Sequence, residues 1–522
     1  MDQELKFWTW VFFFLYTGIM LVCGVVGMRR VRGSDDYATA RGGYGPLYLA
    51  LAMTATTASG ATFLGVPGIC YTYGLSGLWL AFVYPVGVYG GVLLCMRVVG
   101  RAGETMGSRS IPEFLGDRYQ SEVIRVVVSV FSLILLFYIA GQLISGTVMF
   151  QTMMGITKIW AMGITMAILV AYVSFGGAHA DILTDGIQGA VMLVLAVAVG
   201  VLFLWGYSVE GGLAGIVETI GDSDPRMVKV LNEASPVVGS WWAVLAILIS
   251  HLPLGMLPHI GNKLWALEDS ASRKRFIVLA FLFGMLLPVI ALGGIHCRAI
   301  VGNGLTDQNH AIPVLFAHMF PPWLAALAGA GILAAVMSTA DGLVISTSQV
   351  FANDLYRRTL VPRWQPDASE GRIDRIALHI SRVATVVVLL AAFGLAWIFV
   401  NRNVNIALLV WIGVGAMMAS LAGPLVLGVL WQGVTTRGAL AGFLAGAAAF
   451  VYLKLGLVGA FAGGFYELPD GTVIHWLLNQ KENPFSCAAL GEIFSVAVTV
   501  IVSCCTPKLP AAHLSTIFGE RH

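Results

Sequence analysis

The stretch Gly331-Ile-Leu-Ala-Ala-Val-Met-Ser-Thr-Ala-Asp-Gly342 places Ser338 and Thr339 three and four residues after Ala335. Their hydroxyls and the Ala335 carbonyl therefore share one helical face. Two hydroxyl oxygens beside an accessible carbonyl form a neutral oxygen set that suits a small hard cation, bound weakly and reversibly. From these residues alone, hydroxyls bonding back to their own helix are an equally good account. Asp341 stands one turn further along. A carboxylate inside an apolar run is a functional candidate, and its rival role is to accept hydrogen bonds from a facing helix. Asp181 and Asp185 are four apart and share a face. Asp181 is expected to be an N-terminal cap and dipole partner. Asp185, one turn deeper, is the better candidate for a cation-exit path. No basic residue stands beside Asp185 or Asp341 in sequence. A resident cation would then keep one of them ionised where burial alone would protonate it. His251 and His259 are each read either as a group that titrates or holds a solute, or as a satisfied structural histidine. The chain has no Walker A motif and no HExxH, so an ATP-driven pump and a zinc protease have no apparatus here.

Two breaks in otherwise apolar runs could position these groups. The first is Ala52-Met-Thr-Ala-Thr-Thr-Ala-Ser-Gly60, followed by Gly65, Pro67 and Gly68. Thr54, Thr56, Thr57 and Ser59 crowd it, and hydroxyls with Gly and Pro favour local unwinding. Unwound backbone survives at membrane depth only where it lines a protein cavity; a Ser/Thr-rich helix seam is the weaker alternative. The second break is His251-Leu-Pro-Leu-Gly-Met-Leu-Pro258-His259, where two prolines and a glycine stop a regular helix.

The setting is a membrane. Of 522 residues, 58% are hydrophobic and 11% charged, with a formal net charge of +2; mean hydropathy is +0.83. An ordinary soluble domain carries roughly 25% charged residues, so a soluble globule is excluded. A near-neutral total gives no reason to expect nucleic acid. Gly reaches 61 residues, which suits close helix approach in lipid. The seven cysteines are scattered without a CxxC and read as buried packing residues. Thirteen spans are expected near 7–28, 46–73, 77–96, 126–150, 156–174, 182–206, 241–261, 276–296, 322–350, 383–400, 404–431, 438–454 and 486–505. With the N-terminus outside and the C-terminus cytoplasmic, 22 of the 30 Lys and Arg fall on inner segments and 8 outside, as the positive-inside rule requires. That count places Lys263 in an inner loop and leaves every basic residue at a membrane face. Outer loops are expected at 207–240 and 455–485, and an inner linker at 353–382. Setting aside the first span, the broken helices are the first and sixth of the next ten. They thus occupy equivalent places in two oppositely oriented five-helix repeats, the pattern of a secondary transporter with a midplane site.

The strings Thr54-Ala-Thr-Thr-Ala-Ser-Gly60, Gly176-Gly177, Thr184-Asp185-Gly-Ile-Gln188, Pro258-His259, Ala334-Ala-Val-Met-Ser-Thr-Ala-Asp341 and Asn353-Asp-Leu-Tyr-Arg357, with Arg41 ahead of the first break, resemble the sodium:solute symporter family over nearly the whole chain. The resemblance implies an all-α polytopic protein with the LeuT-type five-plus-five inverted repeat. The expected parts are an extra N-terminal helix (7–28), repeats at 45–206 and 241–431, and two C-terminal helices (438–505). It implies sodium as the coupling ion, held by carbonyls of Ala55, Ala58 and Ala335 and hydroxyls of Ser338 and Thr339. A second sodium site in some members would use Asp185 and adjoin Asp341 and Gly342, where glycine offers no hydroxyl. Thr57 stands where the proline-transporting branch has an aspartate. The chain is most similar to the pantothenate branch, then to monocarboxylate carriers, through Gly141-Gln-Leu-Ile-Ser-Gly146 and the Asp269-Ser270 loop. The expected solute is a small carboxylate, lined by Thr57, Ser59, Gly60, Gln142, His251, Met256 and His259. The expected working unit is a monomer in the plasma membrane, with no enzyme activity. The alternatives are a transporter-like sensor module, a different solute such as an amino acid or sugar, or proton coupling.

Overall fold

The computed structural model describes residues 3–269, 271–457 and 472–519. Apart from one isolated bridge between Tyr44 and Leu267, all regular structure among the described residues is helical. Among the described residues, ten helices are long and apolar enough to cross a bilayer, and the pair Trp241–Met256 and Pro258–Ala266 makes eleven. Thirteen spans were expected, and the difference has a local cause. The first break divides 46–73, and its later half runs on within Ala61–Met106. The segment expected at 156–174 supplies only the short apolar helix Lys158–Ala171. Residues 458–471 of the expected loop 455–485 lie outside the described residues, as do Ser270 and Arg521.

Both breaks fall where the Gly, Pro and hydroxyl pattern puts them. Helix Pro46–Thr57 opens on a proline, whose missing N–H needs no partner in a first turn, and stops at Ala58 (φ −95°, ψ 81°). A π-helical turn, Ala61–Gly65, and helix Val66–Tyr73 follow. Helix Trp241–Ser250 is capped by the Ser240 hydroxyl, which accepts from the Ala243 amide. A short turn, Leu254–Met256, then ends in extended backbone at Leu257 (φ −56°, ψ 147°). Pro258–Gly261 and Asn262–Ala266 complete the second broken segment.

The chain divides into two units. The first comprises Met1–Phe82, Leu135–Val230 and Pro258–Val410; the second comprises Val83–Ile134, Leu231–Leu257 and Trp411–His522. In the first unit Lys158–Trp205 is the central helix, packing on Gln3–Arg30, Pro46–Thr57 and Pro322–Gln349. Lipid tails are as apolar as leucine, so such contacts rest on close packing of small residues. A Cβ at Gly27 would lie 2.6 Å from the Ala180 amide nitrogen, and one at Gly189 would lie 2.6 Å from the Leu51 carbonyl oxygen. In the second unit Thr436–Lys454 packs on Pro484–Cys504. There the buried Arg118 guanidinium donates to the Gly428 carbonyl and lies over the Tyr119 and Phe518 rings.

Gly177 divides the long central helix. Its backbone (φ 53°, ψ −147°) lies in a region open essentially to glycine alone. A Cβ there would also meet the Tyr37 carbonyl oxygen at 2.6 Å. Gly177→Ala should cost on the order of 1–3 kcal/mol from backbone strain alone. The expected result is a lower melting temperature and yield of purified protein; an unchanged melting curve would show that the kink is dispensable.

Candidate cation and solute site

Helix Pro46–Thr57 ends in the protein interior, so its last carbonyls lack the amide donors of a following turn. Helix Pro322–Gln349 lays hydroxyls against them. Ser338 Oγ lies 3.0 Å from the Ala55 carbonyl oxygen and 3.1 Å from that of Ala335. Thr339 Oγ1 donates to the Thr56 carbonyl at 2.9 Å. All of these residues are buried. Three of the five expected groups, from Ala55, Ala335 and Ser338, therefore meet, and Thr339 reaches the adjoining Thr56 carbonyl. Ala58 donates its amide to the Thr54 carbonyl. Back-bonding within the helix and reach across to the break both occur at Ser338. The donor set is neutral oxygen throughout, as a hard monovalent cation requires.

The carboxylates depart from expectation. Lys263, assigned from sequence to an inner loop, is 4% exposed. Its Nζ lies 2.6 Å from Asp181 Oδ2 and 2.5 Å from Asp185 Oδ2. Asp185 therefore has a basic partner, and a deep lysine exists. Asp181 is not a helix cap but one arm of this buried ion pair. Thr56 Oγ1 also donates to Asp185 Oδ2, at 2.5 Å, which ties the carboxylate to the broken helix. Asp341 Oδ1 accepts from the Gly342 amide at 2.8 Å, and the Thr184 hydroxyl lies 3.4 Å from Oδ2. Those contacts match the hydrogen-bond acceptor role. A signal for Lys263 was present in the chain. Leu264, Trp265 and Ala266 continue the apolar run past the expected end at 261, and all are buried.

Among the expected solute-lining residues, Gly60 donates its amide to Gln142 Oε1 at 3.0 Å. A Cβ on Gly60 would collide with the Ser145 hydroxyl, so glycine permits this approach. The other end of the same side chain, Gln142 Nε2, is buried without a partner among the described residues. So are both ring nitrogens of His259. Tyr138, one turn before Gln142, sets its ring edge-on to His259, with centroids 5.6 Å apart. Thr57 donates to the Thr54 carbonyl, and Ser59 Oγ accepts from the Ala61 amide. His251 and Met256 belong to the second unit. There His251 Nδ1 is 2.6 Å from the Ile247 carbonyl oxygen, and the ring packs on Tyr84, Trp411 and Phe485. Met256 is fully buried.

A helical membrane protein with two broken segments and hydroxyls laid on the free carbonyls of one of them has the architecture of a LeuT-type secondary transporter. The profile of the sodium:solute symporter family matches residues 37–446, and the chain belongs to that family. It is 29% identical over 441 residues to the high-affinity proline transporter PutP of Bacillus subtilis, covering 83% of this chain and 89% of that one. It is 28% identical over 434 residues to the sodium/pantothenate symporter of Escherichia coli, covering 80% and 84%. Among solved structures, the substrate-bound outward-open state of a Na+-coupled sialic acid symporter superposes with a TM-score of 0.76 at 18% identity, covering 96% of this chain and 98% of that one. Mhp1, a nucleobase-cation-symport-1 family transporter in a closed conformation, gives 0.52 at 13% identity, covering 94% and 98%. Membership makes the chain an integral membrane transporter rather than an enzyme, and it makes sodium the implied coupling ion.

Proposed function

We propose that the chain is a sodium-coupled symporter that imports a small organic carboxylate by alternating access. The observation that supports this best is the contact of Ser338 and Thr339 with the carbonyls of Ala55 and Thr56. It joins the broken helix to a neighbouring helix through oxygen atoms alone. A sodium ion taken up between them in the outward-facing state would favour that state's solute-ready arrangement, and its release inside would undo it. Sodium would be held by Ala55, Ala335, Ser338 and Thr339, with Ala58 as a further carbonyl. The solute would lie against Thr57, Ser59, Gly60, Gln142 and His259; His251 and Met256, also expected from sequence, belong to the second unit. Gln142 Nε2 and His259 carry the buried polar atoms that still need partners, and an N–H donor of this kind suits a carboxylate or amide oxygen. The proposed organisation keeps the extra helix 7–28, the repeats 45–206 and 241–431, and the C-terminal pair 438–505. The proposed unit is a monomer in the plasma membrane, N-terminus outside and C-terminus in the cytoplasm.

The test is uptake into proteoliposomes with and without an inward sodium gradient. Pantothenate and short monocarboxylates should compete for uptake, while glucose should not. The proline transporters among the relatives favour a second reading, an amino-acid carrier, against which Thr57 counts. Inhibition by proline alone, with none by pantothenate or monocarboxylates, would establish that second reading. Gradient-independent uptake would remove sodium coupling, and solute binding without flux would make the chain a sensor.

A further inference from the structure

We infer that the Lys263 ammonium is a tethered cation filling a second monovalent-cation site formed by Asp181, Asp185 and Asp341, so that the chain takes up one free sodium ion and not two. This rests on the symport reading for its consequence, but not for its geometry. One oxygen from each of the three carboxylates lies within 4.8 Å of the others. That is a cation-sized focus of negative charge, and all three residues are buried. Lys263 Nζ sits in it, 2.6 Å from Asp181 and 2.5 Å from Asp185. The Thr56 hydroxyl adds a fourth oxygen, and it lies on the broken helix next to Ala55. The second oxygens, Asp181 Oδ1 and Asp185 Oδ1, are buried without hydrogen-bond partners among the described residues. Three carboxylates thus gather around a single ammonium, more oxygen ligands than one lysine with three N–H donors saturates.

A free sodium ion entering this cluster would meet a fixed positive charge at close range in a medium that screens poorly. While Lys263 is in place the site is therefore closed to it. Gly342 agrees with that assignment. It stands beside the cluster, where a Cβ would lie 3.3 Å from Asp181 Oδ1 and 3.6 Å from His259 Cβ. A side chain carrying one more oxygen ligand is missing at that point, and the lysine makes it unnecessary. A small cavity of about 20 Å³, lined by Thr39, Asp181, Asn262, Lys263 and Gly342 among others, has room for about one water. It gives a small ion a place beside the carboxylates once the ammonium is removed.

The test is equilibrium binding of radioactive sodium to the purified full-length chain, with no solute present. The wild type should bind one sodium per chain, lost in Ser338→Ala/Thr339→Ala. Lys263→Met should bind two, one of them surviving that double substitution and disappearing in Lys263→Met/Asp185→Asn. Lys263→Arg should stay at one. If Lys263→Met does not fold without salt, sodium should raise its yield and melting temperature at least several degrees more than it does for the wild type. Two sodium ions on the wild type, or a folded Lys263→Met that binds no more sodium than the wild type, would overturn the inference. A wild type that binds none while Lys263→Met binds one would sustain the tethered cation and defeat the sodium-symport reading instead.

Discussion

Ser338→Ala/Thr339→Ala should raise the sodium concentration for half-maximal uptake by roughly 30-fold or more. The double change removes both side-chain oxygens that reach the carbonyls of Ala55 and Thr56, and it alters little volume. Each unmade buried polar contact is worth about 1–3 kcal/mol, and 1.4 kcal/mol is a tenfold change in affinity. Folding should survive, because a helix lacking these two hydroxyls still closes its own backbone bonds. Melting temperature and membrane yield near those of the wild type would confirm that the loss is in the ion site. Wild-type sodium dependence in the double mutant would show that the cation binds elsewhere.

Asp185→Asn should slow turnover by about tenfold or more and lower the melting temperature, with a much smaller change in sodium half-saturation than the Ser338/Thr339 pair shows. The amide keeps the shape and an acceptor for Thr56 and Lys263, but it deletes one of the charges that hold a buried ammonium. Breaking a buried ion pair from one side costs about 3–5 kcal/mol, and Asp181 remains to recover part of it. From sequence alone the main loss was expected in ion coupling. Lys263 moves it toward the stability and motion of the broken segment that carries the lysine. Asp341→Asn should be milder, since the donors to Asp341 named above are the Gly342 amide and the Thr184 hydroxyl. Uptake kinetics and melting curves of both variants decide this; a neutral Asp185→Asn beside a collapsed Asp341→Asn would exchange their roles.

Both helix breaks were legible because their cause is local. Ala58 follows a run of threonines, and Leu257 stands between Gly255 and Pro258, so backbone chemistry alone marks them. The face shared by Ala335, Ser338 and Thr339 was legible for the same reason: helical spacing fixes it before any tertiary contact forms. Lys263 was not. Span limits drawn from hydropathy end at the first polar residues, Asn262 and Lys263, although burial continues through Ala266. The pairing that draws the lysine inward joins residues 78 positions apart, and no periodic pattern encodes it. The same limit explains Asp181. Its position at the start of an expected helix favoured a cap, but the helix resumes directly after the Gly177 kink and Asp181, a turn inside it, pairs with Lys263. Substrate identity was illegible for another reason: Gln142 and His259 announce unpaired polar atoms but not the molecule that completes them.

The separation of Lys263 from Asp185 has a consequence for how the protein is made. Asp181 and Asp185 leave the ribosome 78 or more residues ahead of their counter-ion, roughly 4–16 s at 5–20 residues per second. During that interval their helix must enter or wait beside the bilayer with two uncompensated carboxyl groups, each costing about 2.5–3.5 kcal/mol at the centre of an isolated helix. Asp341 arrives about as long again after Lys263. Stable insertion of the helix after Gly177 is thus tied to synthesis of the second broken segment. Nascent chains halted before Lys263 should be poorly retained by the membrane and open to quality-control proteolysis, and chains halted well beyond it should be protected.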